Sequence, residues 1–263
     1  MKGGGWGDAK NRVSTAGRGY NTIKNFVFCL VFRSACTTFA IMKQILIRYM
    51  MLAGMMAMPL LASAQDFFST RTVTKKTGRF SASVEFPTEG PREAVDSALQ
   101  WMKAVMGVRS CASNDFNTIL QVAADSFAVS GNGTSRSVKI ERSYEDSGCV
   151  TFESMVTDKG GDTWHTADCA SFSKADGHRI TLKEIFACDM PTIQRLMWQY
   201  KGDLPMEADG PEGLHPKAAG FTDGWVVVIG NARRYHGAPF RLRYEEIESS
   251  LHSNFGGYYS TEE

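Results

Sequence analysis

The feature that most restricts how this chain can fold is a segment that resembles a signal peptide but begins only at Met42. Residues 42–65 read MKQILIRYMMLAGMMAMPLLASAQ. Lys43 and Arg48 supply a basic region, an apolar run of about a dozen residues follows, and Ala62-Ser63-Ala64 supplies a small-residue cleavage site. We therefore expect cleavage after Ala64 and a periplasmic or secreted mature protein. The run is shorter than the roughly 20 residues that cross a bilayer, so we do not expect it to remain as a membrane anchor. No stable membrane span is therefore expected after cleavage.

The position of this segment divides the chain. Residues 1–41 show neither a repeat nor a clean amphipathic period, so we expect a disordered leader, or translation that starts upstream of a true initiator at Met42. The predicted organisation is this leader, a signal peptide at 42–64, a lobe with strand and two helices at 65–135, and a β-rich lobe with a C-terminal helix at 136–263.

Removal of the first 64 residues changes the charge. Eight of the 29 Lys and Arg residues and one of the 28 Asp and Glu residues lie before Gln65, which leaves 21 basic and 27 acidic residues and a net charge of about −6. A nucleic-acid-binding domain usually carries a basic patch or stripe. The composition therefore argues against a nucleic-acid partner and is compatible with a cationic one.

Cysteine usage fits the exported interpretation. Four of the six cysteines follow Ala64, and none lies in a CxxC spacing: Cys111, Cys149, Cys169 and Cys188. An even count in an exported chain favours two disulfides, for which three pairings are possible. A hairpin centred near Lys159 would place Cys149 opposite Cys169, so this pair and the pair Cys111–Cys188 are favoured.

Alternating segments predict strands, and apolar residues at helical spacing predict helices. The predicted strands are two between 67 and 86, then 137–144, 149–157, 163–172, 179–182, 221–229 with a turn at Asp223-Gly224, and 240–244. The predicted helices are 92–108, 114–128, 183–186, 191–200 and 245–251, with a loop at 201–219. This order predicts an α+β fold, a two-lobed single unit in which a few helices pack on an antiparallel β-meander.

Four segments of the chain resemble a known family in their order and residues. They are SASVEFP at 81–87, SYEDSGCVTFESMVTDKGG at 143–161, DGHRITLKEIF at 176–186 and GFTDGWVVVIGNARRYHGAPFRLRYEEI at 220–247. Together they resemble the extracytoplasmic domain of RsiV-type lysozyme-sensing anti-sigma factors and of their stand-alone relatives of unknown function. The resemblance implies a ligand-binding role without catalysis. Its expected partner is a protein such as a cationic lysozyme-like hydrolase, or cell-wall glycan.

Two loops depart from that family's pattern. The usual GGAH turn is replaced by Gly160-Gly161 followed by three residues before His165, and the usual Pro-Tyr-Ala corner is replaced by Tyr235 to Pro239. The recognition loops therefore differ, and the resemblance does not carry lysozyme binding over to this chain.

Candidate binding residues come from these same two loops. Trp164 follows a Gly-rich turn and is either an exposed binding residue or a core residue of its strand; Trp and Tyr are over-represented at binding hot spots. The predicted binding residues are Asp162, Trp164, His165, Tyr235 and His236.

No catalytic, metal or cofactor site is predicted. The chain has no GxSxG elbow, and its five histidines show neither HxH nor HExxH spacing. The sequence therefore favours an exported, non-enzymatic envelope binding protein. The alternatives are a cell-wall or polysaccharide-acting enzyme, or a structural envelope protein.

Overall fold

A nine-stranded sheet organises the protein, as seen in a computed structural model that describes residues 67–130 and 133–255. The described residues all belong to one compact unit. The predicted leader, signal peptide and cleavage site lie outside the described residues. None of the helices in the described part of the chain has the length and apolar character needed to cross a bilayer.

The strands follow one another along the sheet in the order β1-β2-β3-β4-β5-β9-β8-β7, and β6 pairs with β5 beside this path. Their bounds are β1 Ser69–Thr77, β2 Phe80–Glu89, β3 Ser135–Glu145, β4 Cys149–Lys159, β5 Thr163–Ser173, β6 Arg179–Ile180, β7 Ala218–Thr222, β8 Trp225–Ala232 and β9 Tyr235–Arg243. The helices are α1 Arg92–Val105, α2 Phe116–Ser130, α3 Leu182–Ile185, α4 Met190–Gln199 and α5 Tyr244–Ile247, with 3-10 turns at Pro211–Gly213 and Glu248–Ser250. The predicted α+β class is confirmed.

The sheet is mixed, because two neighbouring strand pairs are parallel. β2 and β3 run parallel from Phe80↔Arg136 to Val84↔Ile140, and the two long helices α1 and α2 form the crossover between them. β5 and β9 run parallel only at His165↔Tyr235 and Thr166↔Gly237. All other paired strands are antiparallel. Alternation within a strand predicts its faces but not its neighbour, so the sequence indicated a meander.

The first part of the core lies between the sheet and the two long helices. Alternate residues of β2, from Phe80 to Phe86, are buried, as their spacing predicts. They pack with the buried faces of α1 and α2 and with Val150, Phe152 and Phe172 of β4 and β5. Asp115 precedes α2, and its Oδ2 accepts hydrogen bonds from Thr118 N at 2.8 Å and Thr118 Oγ1 at 2.7 Å, the first of which satisfies a backbone donor at the start of the helix.

The second part of the core lies under β7 to β9. Residues 221–229, predicted as one interrupted strand, form the β7–β8 hairpin, because Gly224 adopts a φ of +75° in the turn. β7 also lies across β3 and β4: the hydroxyl of Ser143 in β3 donates to the Phe221 carbonyl at 2.9 Å, and a Cβ on Gly220 would lie 2.7 Å from Thr151 Cγ2 of β4. The sheet therefore curls over itself.

The structure corrects the predicted hairpin register and with it one disulfide. Cys149 pairs with Ser173 and Cys169 pairs with Glu153, so the hairpin is centred at Gly161 rather than near Lys159. Four residues along a strand span about 13 Å. A disulfide requires Cα atoms about 4.4–6.8 Å apart, so the pair Cys149–Cys169 cannot form in this register. In the structure Cys111 and Cys188 are also free thiols, and the predicted bond between them is not formed.

Candidate functional site

The five predicted binding residues lie together where β5 and β9 begin. His165 and Tyr235 are direct partners in the parallel register, and the backbone N–H of His165 donates to the carbonyl of Arg234 at 3.0 Å. We call this place the β5–β9 junction and define it by Asp162, Trp164, His165, Tyr235 and His236. The sequence indicated both loops but not their contact, since they belong to strands that are distant in the chain.

Two stacked ring pairs form the centre of the junction. Trp164 stacks on His236 with ring centroids 5.0 Å apart and planes 12° apart, and His165 stacks on Tyr235 at 5.0 Å and 29°. Successive side chains of a strand point to opposite faces, so the two pairs lie on opposite faces of the sheet. Trp164 is 41% exposed, which places it at the surface rather than in the core.

An ion pair connects the two turns that precede these strands. Arg234 Nη2 lies 3.3 Å from Asp162 Oδ1, and both side chains are more than half exposed. Arg234 has a φ of 65°, the only positive φ of a non-glycine residue in the described ranges. An exposed pair contributes at most about 1 kcal/mol to stability, so its main effect is to orient the two turns.

Close backbone approach holds the strands in place. A Cβ on Gly237 would lie 2.3 Å from the Ala167 carbonyl oxygen, so only glycine allows β9 to lie this close to β5. On the other side, the Thr157 hydroxyl lies 3.2 Å from His165 Nδ1. Sequence reasoning missed Arg234, Thr157 and Gly237. A short polar break between two apolar strands is the signal that would have indicated the Arg234 turn.

The exposed charges around the junction are mostly positive. Lys217 Nζ donates to the His236 carbonyl at 3.3 Å, and Arg233 and Lys159 are exposed in the adjoining turns. Together with Arg234, these three cations outnumber Asp162, so the local charge is positive. The net charge calculated for residues 65–263 is negative.

A second polar cluster surrounds His178, just before β6. Its Nδ1 lies 2.6 Å from Asp176 Oδ1 and its Nε2 lies 3.0 Å from Glu184 Oε1. The hydrogen bond to Asp176, followed by that to Glu184, raises the pKa of His178, while the bond from His178 lowers the pKa of Asp176 to about 2. When the ring is protonated, both nitrogens donate, and the imidazolium then has no lone pair for a metal or a proton. The cluster therefore stabilises the turn that leads into α3.

Two carboxylates face each other on β3 and β4. Glu141 lies directly opposite Glu153 in the β3–β4 register, and Arg241 Nη2 binds Glu153 Oε2 at 2.7 Å. Burial raises the pKa of Glu153, and the guanidinium of Arg241 opposes that rise. The two-point contact with arginine holds the Glu153 carboxylate in one orientation at the wall of a small cavity.

Three of the cysteine thiols are held in the unreactive, protonated form. Burial raises the pKa of Cys149, Cys169 and Cys188, which keeps these thiols protonated at neutral pH. Within the described ranges, no three His, Cys, Asp or Glu side chains converge as metal ligands would.

Comparison with known proteins identifies the fold. No family model and no curated protein matches the sequence. Among solved structures, a member of the DUF3298 family from Bacteroides fragilis matches with a TM-score of 0.52 and 11% identity, over 74% of this chain and 98% of that one. A DUF3298 family protein from Pseudomonas aeruginosa matches with a TM-score of 0.49 and 13% identity, over 73% and 97%. In its fold, the chain is similar to the Bacteroides fragilis member of this uncharacterised family.

Proposed function

We propose that this chain is an exported, non-enzymatic binding protein of the bacterial envelope and that its ligand docks at the β5–β9 junction. The observation that carries the proposal is the 41% exposed Trp164 stacked on His236. A large ring already held by its neighbours offers contact area to a ligand at a low cost in conformational entropy. Aromatic residues of this kind are common binding hot spots.

Export is supported by the sequence of residues 42–64, with its basic start, apolar run and small-residue end. The resemblance to RsiV-type domains supports a binding role, because two of its four segments supply strands of the junction or of the hairpin leading to it: 143–161 supplies β4, and 220–247 supplies β9.

The charge around the junction favours cell-wall glycan over a cationic hydrolase as the ligand. Arg233, Lys217 and Lys159 would repel a strongly basic protein, whereas Asp162 and Arg234 neutralise each other. A sugar ring can stack on the exposed face of Trp164, and the neighbouring cations can bind sugar hydroxyls or the carboxylates of cell-wall sugars and peptides.

The test is calorimetric titration of the protein with soluble peptidoglycan fragments. Trp164→Ala should weaken binding at least about fivefold, corresponding to a loss of more than about 1 kcal/mol. The matched control is Trp225→Ala. It removes a partly buried tryptophan that stacks with Arg243 at the start of β8, whereas the other end of β8 pairs with Tyr235 of the junction. This control should bind as the wild type does.

A parallel titration with hen lysozyme distinguishes the two partner classes. Tight lysozyme binding without fragment binding would overturn the glycan assignment. Fragment binding that both tryptophan variants keep would place the ligand elsewhere on the molecule. Release of reducing ends from the fragments during the titration would contradict a non-enzymatic role.

A further inference from the structure

A second concave site lies where α1, the segment that follows it and the ends of β5 and β6 meet. It is an open cavity of about 660 Å³, within the range that small-molecule sites occupy. Its lining includes Trp101, Lys103, Arg109, Phe172, His178 and Arg179. None of the residues that line it is acidic.

Lys103 is the unusual residue of this cavity. Its side chain lies in the last turn of α1 and only 7% of the residue is exposed. The ammonium donates to the Cys111 carbonyl at 3.0 Å and to Asn114 Oδ1 at 3.0 Å, and both acceptors are neutral. Lysine is seldom buried unless it is paired, because removing its charge from water is costly. The C-terminal end of α1 supplies only about half of an opposite charge.

Arg109 adds a second uncompensated charge at the same cavity. It is exposed, and within the described ranges its guanidinium forms neither a hydrogen bond nor an ion pair. The other two cations of the lining are already paired: Arg179 Nη2 lies 3.2 Å from Asp168 Oδ1, and His178 lies between Asp176 and Glu184. The positive charge that lacks a partner therefore belongs to Lys103 and Arg109.

We propose that this cavity binds a small anionic molecule whose carboxylate or phosphate group lies between Lys103 and Arg109. Lys103 donates its remaining N–H to the anion, and the guanidinium of Arg109 binds the anion from the exposed side. Both groups recognise anionic oxygens, the guanidinium through two parallel hydrogen bonds. Trp101 and Phe172, together with the uncharged polar side chains of Ser97 and Gln100, also line the cavity, so the ligand carries an uncharged body as well as the anionic group.

This site is separate from the β5–β9 junction. His165 marks the junction and Phe172 lines the cavity, and seven residues along a strand span about 23 Å. A ligand at one place does not contact the other, so the anion site adds to the proposed glycan-binding role and does not depend on it.

The test is a titration of ¹⁵N-labelled protein with inorganic phosphate and, separately, with succinate, at constant ionic strength. The wild type should show saturable shift changes confined to residues 97–112 and 172–179. Arg109→Ala should weaken binding at least about tenfold, since it removes a charge-assisted contact. Because Arg109 is exposed, its substitution tests the site without a change at the buried Lys103.

The matched control is Arg92→Ala, which removes an exposed arginine from the first turn of α1, outside the cavity. It should bind both anions as the wild type does. Binding of phosphate alone, of succinate alone or of both would each support the site and identify the anionic group. Non-saturating shifts, shifts centred elsewhere, or equal losses in both variants would overturn the proposal.

Discussion

Trp164 and His236 stack with ring centroids 5.0 Å apart, one on each of the two parallel strands of the β5–β9 junction. Those strands are paired at only two positions, His165↔Tyr235 and Thr166↔Gly237. The aromatic surface therefore depends on a very short contact. A small change in the distance between the strands should displace the rings.

Gly237→Ala is expected to separate the strands. The added methyl group would lie 2.3 Å from the Ala167 carbonyl oxygen, and backbone cannot move aside as a flexible side chain can. We expect a loss of about 1–3 kcal/mol in the free energy of unfolding, measured by chemical denaturation. Gly161→Ala in the adjoining turn is the control, because a Cβ there meets nothing within 4 Å. Equal stability of the two variants would contradict this account of the junction.

Position 234 should prefer residues that tolerate a positive φ. A φ of 65° is costly for arginine, more so for a β-branched residue, and least costly for glycine or asparagine. Since Arg234→Asn and Arg234→Val both remove the exposed ion pair with Asp162, their difference isolates the backbone effect. In denaturation experiments, we expect the free energy of unfolding of R234N to exceed that of R234V by about 1 kcal/mol or more. If R234V were the more stable variant, the left-handed conformation would be wrong.

The His178 cluster should stabilise the fold most in mildly acidic solution. The pKa of His178 is raised from 6.5, so its stabilisation is complete below that pH and is lost as the pH rises through the raised value. The pKa values of Asp176 and Glu184 are lowered from 3.8 and 4.5, so their stabilisation is lost as the pH falls below this range. The window is therefore about pH 4.5–6.5.

Thermal unfolding of His178→Gln tests this pH dependence. The difference in Tm from the wild type should be largest between about pH 5 and 6 and should shrink toward pH 8. His215→Gln is the control, because in the described chain its side chain forms no hydrogen bond. A His178→Gln difference that grew with rising pH would refute the predicted sign.

The free thiols make a further prediction. In the native protein, Cys149 and Cys169 should resist alkylation by iodoacetamide because both are buried and burial raises the pKa of each thiol. Cys111 and Cys188 are partly exposed and should react faster. Peptide mass spectrometry after native and denatured labelling distinguishes the four. Cysteines that stay unlabelled in denaturant until a reductant is added would instead demonstrate disulfides.

The loss of the exposed Trp164 should leave the protein folded. A stacked ring pair contributes about 0.5–1.5 kcal/mol beyond burial, and Trp164 is 41% exposed, so Trp164→Ala should cost no more than about 2 kcal/mol of stability. Chemical denaturation measures this directly. A larger loss of stability would mean that Trp164 is a structural residue. Weaker binding by Trp164→Ala could then not be attributed to a lost contact with the ligand.

Local pattern predicted most of the elements. Alternation from Phe80 to Phe86 appears as the buried face of β2, and apolar spacing in 92–108 and 114–128 appears as α1 and α2. These predictions succeeded because burial of one strand face or one helix stripe leaves a periodic trace in neighbouring residues. The bounds of β9 were predicted less well: the strand begins at Tyr235 rather than Phe240, since Gly237 and Pro239 masked it.

The sequence by itself determined the α+β class, the order of the helices and strands, and the two loops that hold the candidate residues. Only the tertiary structure decided that β5 and β9 are parallel neighbours, that Trp164 meets His236, and that Lys103 is buried without a carboxylate partner. The physical reason is range. Propensity and periodicity act between neighbours along the chain, whereas strand pairing, ring stacking and charge compensation depend on which distant segments the whole core brings together.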